Sequence, residues 1–196
     1  GVNRRHPIFA RYAVNLLVTH CPEKGTERPL CGAPVISEEH PTLGNIVGRI
    51  EHRSMMGALV TDFTMIKAGA LHRANGGYLV LDALKVLTEP FVWESLKRCL
   101  RNKEIKITSA ADELSLVTTV SLTPDPIPLS TKVVLVGERI LYYLLAVLDP
   151  EFEELFKVQA DFDDVTERSP ETIALFARLA GSIAKRENLL PLTPQA

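Results

Sequence analysis

Gly69-Ala70-Leu71-His72-Arg73-Ala74-Asn75-Gly76-Gly77-Tyr78-Leu79-Val80-Leu81-Asp82 decides how the chain is read, because it joins a short helix, a glycine turn and a buried strand that ends in a carboxylate. Asn75-Gly76-Gly77 can take the positive φ that closes a helix. Tyr78-Leu79-Val80-Leu81 is a continuous apolar run of the kind that fills a central parallel strand. Asp82 then falls at the strand's carboxyl end, the edge at which open α/β sheets bind ligands. An aspartate in that place can hold Mg²⁺, usually through water, opposite a phosphate-binding loop.

Downstream, Lys132-Val133-Val134-Leu135-Val136-Gly137 is a second apolar run, and a helix is predicted over residues 139–148. Between the two runs, residues 91–101 place Val92, Leu96 and Leu100 at helical spacing, with Lys97, Arg98 and Arg101 toward the end where the helix dipole favours cations. Two apolar strands separated by a helix require a crossover, so residues 78–82 and 132–137 are expected as parallel strands of one sheet, with the helices starting at Phe91 and Arg139 against it. Residues 104–108 and 116–121 are strand-like and spaced for a hairpin, and Pro124, Pro126 and Pro128 mark an irregular connector.

Upstream, residues 11–19 alternate in hydropathy and read as a strand, and Val35-Ile36 as a short one. Residues 45–52 suit a helix or a turn leading to one. Residues 57–66 read as a hairpin inserted ahead of the helix that begins at Gly69. In the tail, Ser169-Pro170-Glu171 is a helix cap with proline at the first helical position. Ile173, Phe176, Leu179, Ala180 and Ile183 then form an apolar stripe, part of which is expected to be exposed.

Composition bounds the function. The chain has 196 residues, 46% of them hydrophobic, and a net charge of −2, enough for one sizeable core and against a nucleic-acid surface. Cys21, Cys31 and Cys99 are an odd set without a C-x-x-C, which points away from zinc and from a disulfide framework. No apolar run reaches the ~18 residues of a membrane span, and no signal peptide is visible, so cytoplasm is the expected compartment. No G-x-x-x-x-G-K-[ST] phosphate loop occurs anywhere in the sequence.

The residues 69–82 block, with its flanks, resembles the AAA+ modules of Lon-like ATP-dependent proteases, in particular the bacterial Lon-related proteases. The flanks are His40-Pro41-Thr42, Asn45-Ile46-Val47-Gly48-Arg49-Ile50-Glu51, Asp62-Phe63-Thr64, Ile66-Lys67, Ile127-Pro128-Leu129, Val133-Val134-Leu135-Val136-Gly137, Leu148-Asp149-Pro150-Glu151-Phe152 and Leu155-Phe156-Lys157. Similar helix-glycine-strand-aspartate blocks occur in enhancer-binding activators, minichromosome maintenance helicases and magnesium chelatases, so the block alone gives the superfamily and the flanks favour the Lon-like branch. The resemblance implies an α/β fold: a partial P-loop NTPase-like parallel sheet with helices on both faces, inserted β-hairpins and the start of a helical lid. It divides the chain into an AAA+-like core over residues 1–165 and the beginning of the lid over residues 166–196. Family members carry the phosphate loop upstream and the serine-lysine peptidase downstream.

Carried over residue by residue, the resemblance makes Asp82 the Walker B-like, metal-organising carboxylate. Ala83 stands where hydrolysing relatives carry a glutamate, and Gly137-Glu138-Arg139 stands where a polar sensor is usual. Arg139 and Lys157 are the candidate nucleotide-facing cations, and Met55, Met56 and Phe63 on the inserted hairpin are candidates for gripping polypeptide in a central pore. ATP and Mg²⁺ are expected to bind the full-length protein and not this stretch alone, whose own catalysis is not expected. The implied function is an ATPase and unfoldase module that feeds unfolded polypeptide to a peptidase, assembled as a self-associated hexameric ring without membrane or nucleic-acid partners. One alternative is a hydrolysis-deficient scaffold or substrate-gating ring. Another is the ATPase of a transcription activator or helicase, which should carry a DNA-binding element that this sequence does not show.

Overall fold

The apolar run ending at Asp82 forms the middle strand of a parallel sheet, and the rest of the first unit is arranged around it. The computed structural model describes residues 13–18, 32–55, 58–108 and 122–190, with backbone alone at 55, 58 and 59. Two compact units are present, Gly1–Lys157 and Val158–Ala196. In chain order the first contains β1 (Val35–Glu38), α1 (Leu43–Val47), β2 (Arg49–Ile50), β3 (Arg53–Met55), β4 (Ala58–Val60), a 3₁₀ turn (Phe63–Met65), β5 (Ile66–Lys67), α2 (Ala70–Arg73), β6 (Tyr78–Asp82) and α3 (Ala83–Thr88). It continues through α4 (Val92–Asn102), β7 (Glu104–Ile105), β8 (Ile127–Pro128), β9 (Lys132–Val136), α5 (Arg139–Leu148) and α6 (Phe152–Leu155).

The sheet order is β1-β6-β9. Both pairings are parallel, with Val35 opposite Tyr78 and Tyr78 opposite Lys132, so the two apolar runs are neighbours as their composition predicts. Leu79 and Leu81 are fully buried on one face, against Ile46 and Val47 of α1, Leu71 of α2, Val86 of α3, and Val92 and Leu96 of α4. Each such side chain contributes roughly 1.5–3 kcal/mol of transfer free energy. Val133 and Leu135 extend this face onto β9. On the opposite face Val134 and Val136 remain 41% and 57% exposed.

The turn into β6 requires glycine for a steric reason. A Cβ on Gly77 would stand 2.0 Å from the Pro34 carbonyl oxygen, and the Tyr78 N–H donates to that same oxygen at 2.7 Å. The Asn75 side chain clamps the connection to β9, with Nδ2 donating to the Pro128 carbonyl at 2.8 Å and Oδ1 accepting the Ser130 N–H at 2.8 Å.

The inserted hairpin is a two-tier arm. β2 pairs with β5 at its root and β3 with β4 at its tip, both antiparallel. Residues 13–18 form no strand, contrary to the alternation read in residues 11–19; the Asn15 amide instead donates to the carbonyls of Phe63 at 2.8 Å and Ile66 at 3.0 Å, binding this segment to the arm. β7 pairs with β8, inside the proline-marked connector. Pro128 is tolerated there because the pair is short and at an edge. The strand read at 116–121 lies outside the described residues. Cys99 is a buried free thiol, its pKa pushed up by burial.

The second unit contains α7 (Pro170–Arg186). Its start is the helix cap expected of Ser169, and the structure makes it a reciprocal capping box: Ser169 Oγ accepts the Thr172 N–H at 3.2 Å and Thr172 Oγ1 accepts the Ser169 N–H at 2.8 Å. Ile173, Phe176, Leu179 and Ile183 are exposed along one stripe.

Candidate functional site

The carboxyl edge of the sheet gathers three acids. Asp82 ends β6 opposite Val136, Glu138 follows two residues past that partner, and Glu38 ends β1 opposite Leu81. Asp82 is extended at φ −75° and is the N-cap of α3, its Oδ1 accepting the Lys85 N–H at 3.0 Å. Lys85 Nζ donates to the Glu39 carbonyl at 3.0 Å, and Arg73 bonds Glu38 at 2.6 Å, so the ends of β1, α2 and α3 are tied together beside Asp82.

Among the described residues no three His, Cys, Asp or Glu side chains come together as a metal site. Mg²⁺ nevertheless keeps several waters and is commonly held by one or two carboxylates plus the phosphates of its nucleotide. Asp82 fits that role with Oδ2, because the helix cap uses only Oδ1. Ala83 is buried at the start of α3, so the position after Asp82 offers no second carboxylate.

Arg139 is the exposed first residue of α5, on the same edge as Asp82. Lys157 is exposed at the end of the segment that follows α6. Phe63 sits on the arm in the 3₁₀ turn. Met55 ends β3 at the arm's tip, paired with Ala58, and Met56 lies outside the described residues. Asp62 caps the 3₁₀ turn, accepting from the Thr64 hydroxyl and N–H, and these bonds hold its pKa below the usual carboxylate value.

The segment that carries Lys157 is fixed by a buried ion network that helical periodicity did not reveal. Lys97, read from sequence as a dipole-compensating surface cation, is 6% exposed. Its Nζ lies 2.9 Å from Asp149, 3.0 Å from Glu94 and 3.5 Å from Glu151. Asp149 also accepts from Trp93 Nε1 at 2.7 Å and from the Glu151 N–H at 3.0 Å. Burial pulls the Lys97 pKa down, but the bonds to Asp149 and Glu94 outweigh it and the pKa is raised. Burial likewise acts to raise Asp149, and the bonds from Lys97 and Trp93 prevail, lowering it. Trp93, Phe152 and Phe156 stack beside the network. The signal in the sequence was Leu148-Asp149-Pro150-Glu151-Phe152, whose partner on α4 is visible only in three dimensions.

A Lon protease homolog of Escherichia coli (strain K12) is 27% identical over 127 residues, covering 64% of this chain and 21% of its own length. The chain thus spans about a fifth of that relative. The crystal structure of NtrX from Brucella abortus superposes with a TM-score of 0.52 at 18% identity, covering 83% of this chain and 34% of that one, a likeness of fold alone. No helix among the described residues is long and apolar enough to cross a membrane. Residues 31–163, from ahead of β1 to beyond Lys157, match the LonB-like AAA domain, and the chain belongs to that family.

Proposed function

We propose that this chain is the part of an AAA+ module that presents Asp82 to magnesium nucleotide in a Lon-like ATP-dependent protease. One observation carries the reading: Asp82 ends the middle strand of a parallel sheet, within the stretch that matches the LonB-like AAA domain. Bound there, Mg²⁺ would supply charge neutralisation between the phosphates. The chain's own part is to fix the Asp82 carboxylate at the helix start and to set Arg139 on the same edge. The phosphate cradle belongs to another part of the longer protein, and the module works in a self-associated cytoplasmic ring that delivers unfolded polypeptide to a peptidase. The core is residues 1–165 and the helical lid begins over 166–196. Met55, Met56 and Phe63 are the residues that meet the polypeptide, and Lys157 is the cation offered to a neighbouring subunit.

A second reading, a ring that uses nucleotide as a clamp without brisk hydrolysis, is favoured by the buried Ala83 beside Asp82. Loss of a water-positioning base costs about 10²–10⁴-fold in rate. The test is degradation of casein by the full-length protein with and without Mg-ATP, alongside its ATPase rate and the Asp82→Asn variant. ATP-dependent degradation that Asp82→Asn weakens supports the module. Slow ATP turnover with retained degradation selects the clamp. Degradation indifferent to both ATP and Asp82→Asn overturns the proposal, and vigorous hydrolysis abolished by Glu138→Gln or Asp62→Asn overturns the clamp.

A further inference from the structure

The hairpin arm leaves the core at Gly48 and returns at Gly69, and these residues meet backbone to backbone. A Cβ on Gly69 would stand 2.3 Å from the Gly48 nitrogen, and one on Gly48, where φ is +92°, would stand 2.7 Å from the Lys67 carbonyl oxygen. The root of the arm therefore has no side chain of its own to set its angle. His72 supplies one. The residue is 5% exposed, its Cε1 lies 3.4 Å from the position of a Gly48 Cβ, and its Nδ1 accepts the Gly69 N–H at 3.2 Å. The third residue of α2 thus reaches back to the residue before the helix, as glutamate or glutamine does in a capping box.

That bond fixes the tautomer, because a neutral imidazole accepting at Nδ1 carries its proton on Nε2. Nε2 is buried and has no hydrogen-bond partner. A second proton can enter only at Nδ1, the atom that holds Gly69. Protonation and the Gly69 bond exclude one another.

We propose that His72 is a proton-operated lock on the root of the hairpin arm: neutral, it pins Gly69, and protonated, it frees the arm to turn about Gly48 while the sheet stays folded. The charged groups around it are already committed elsewhere. α1, packed against α2, contains no ionisable residue. β1 brings Glu38, which is paired with Arg73 of α2 itself. The roots β2 and β5 bring Arg49 and Lys67, both paired with Glu51 at 3.2 and 3.9 Å. The loop ahead of β9 meets the turn that follows α2, at Ala74 and Gly76, with Ser130 and Thr131, neither of them charged. Burial is what pushes the His72 pKa below 6.5. A group whose folded pKa is depressed binds more protons when released, so the lock holds above 6.5 and weakens as pH falls from there toward the folded value.

Amide hydrogen exchange on the 196-residue chain tests this, corrected for intrinsic exchange between pH 7 and pH 5. The amides of Gly69 and of Glu51, which donates to Met65 at 3.0 Å across the arm, are the reporters, and Leu79 and Leu81 in β6 are the control. Below pH 6.5, reporter protection should fall about tenfold per pH unit while the control holds. His72→Asn, whose Oδ1 can accept the Gly69 N–H without titrating, should keep the arm protected at both pH values, and His72→Ala should loosen it at both. Imidazole ¹⁵N shifts of the unaltered chain should show the proton on Nε2 at pH 7. Reporter protection that tracks β6 at every pH, or a proton on Nδ1 at pH 7, overturns the proposal even where a variant does not fold.

Discussion

Replacing Asp149 by alanine removes the hub of the network that fastens the segment after α5 to α4. Asp149 accepts three bonds, from Lys97 Nζ at 2.9 Å, Trp93 Nε1 at 2.7 Å and the Glu151 N–H at 3.0 Å. The variant leaves Lys97 buried beside Glu94 at 3.0 Å, itself largely exposed, and Glu151 at 3.5 Å. Deleting one partner of a buried pair costs about 3–5 kcal/mol, and the two remaining acids put this case at the lower end, near 3 kcal/mol. Replacing both charges by apolar groups is often close to neutral, so Lys97→Met with Asp149→Leu should lose far less than Asp149→Ala alone. Urea unfolding followed by tryptophan fluorescence is the direct assay, because Trp93 is the single tryptophan and donates to Asp149. The pH dependence follows in sign. Asp149 contributes stability present above its unfolded value near 3.8 and lost as pH falls through its lowered folded pKa. Lys97 contributes stability present below 10.5 and lost as pH rises through its raised folded pKa. The excess stability over the double variant should therefore be flat between these limits. A loss below about 1 kcal/mol for Asp149→Ala, or a double variant as unstable as the single one, refutes the reasoning.

Three further outcomes are expected. Gly77→Ala drives a methyl into the Pro34 carbonyl and should cost about 1–3 kcal/mol by chemical denaturation, whereas Gly181→Ala, with open space around its Cβ inside α7, should gain about 0.5–1 kcal/mol. Ser169→Ala removes the cap of α7 and should cost roughly 0.5–2 kcal/mol, read as reduced helicity by circular dichroism. Asp82→Asn should leave thermal stability almost unchanged, since asparagine caps α3 as well as aspartate does, while Asp82→Ala should cost about 0.5–2 kcal/mol; equal losses for the two would remove the helix-cap account.

What was legible in the sequence was local. Asn75-Gly76-Gly77 announced its turn, the apolar runs at 78–82 and 132–136 announced parallel strands, and Ser169-Pro170 announced a helix start, because each signal lies within a few residues of the structure it specifies. Val35-Ile36 read as a short strand, but its place beside β6 depends on the close approach of Pro34 to Gly77, across many intervening residues. The pairing of β7 with β8 was hidden for a similar reason, since prolines suggest irregular chain and a two-residue edge pair has no periodicity to detect. Helical spacing does not reveal the burial of Lys97, because it gives a residue's column and not what lies above it. Asp149 comes from the far end of the next helix, α5. Asp82 is located by its run, but its use as the N-cap of α3 is set by the Lys85 N–H and is a role in folding that the strand pattern does not announce.

The parallel sheet has a consequence for how the chain reaches its fold. Val35 pairs with Tyr78 and Tyr78 with Lys132, so neither ladder can begin until several dozen residues have been brought round to close it. Such distant pairings are slow, because the entropy of closing a long loop is lost before any ladder bond compensates it. The arm and the α2 turn, by contrast, join neighbours in sequence and can form early. Refolding should accordingly show fast acquisition of helix and hairpin signal followed by a slower phase in which Leu79 and Leu81 gain exchange protection together, with β6 as the strand on which the two halves of the chain meet.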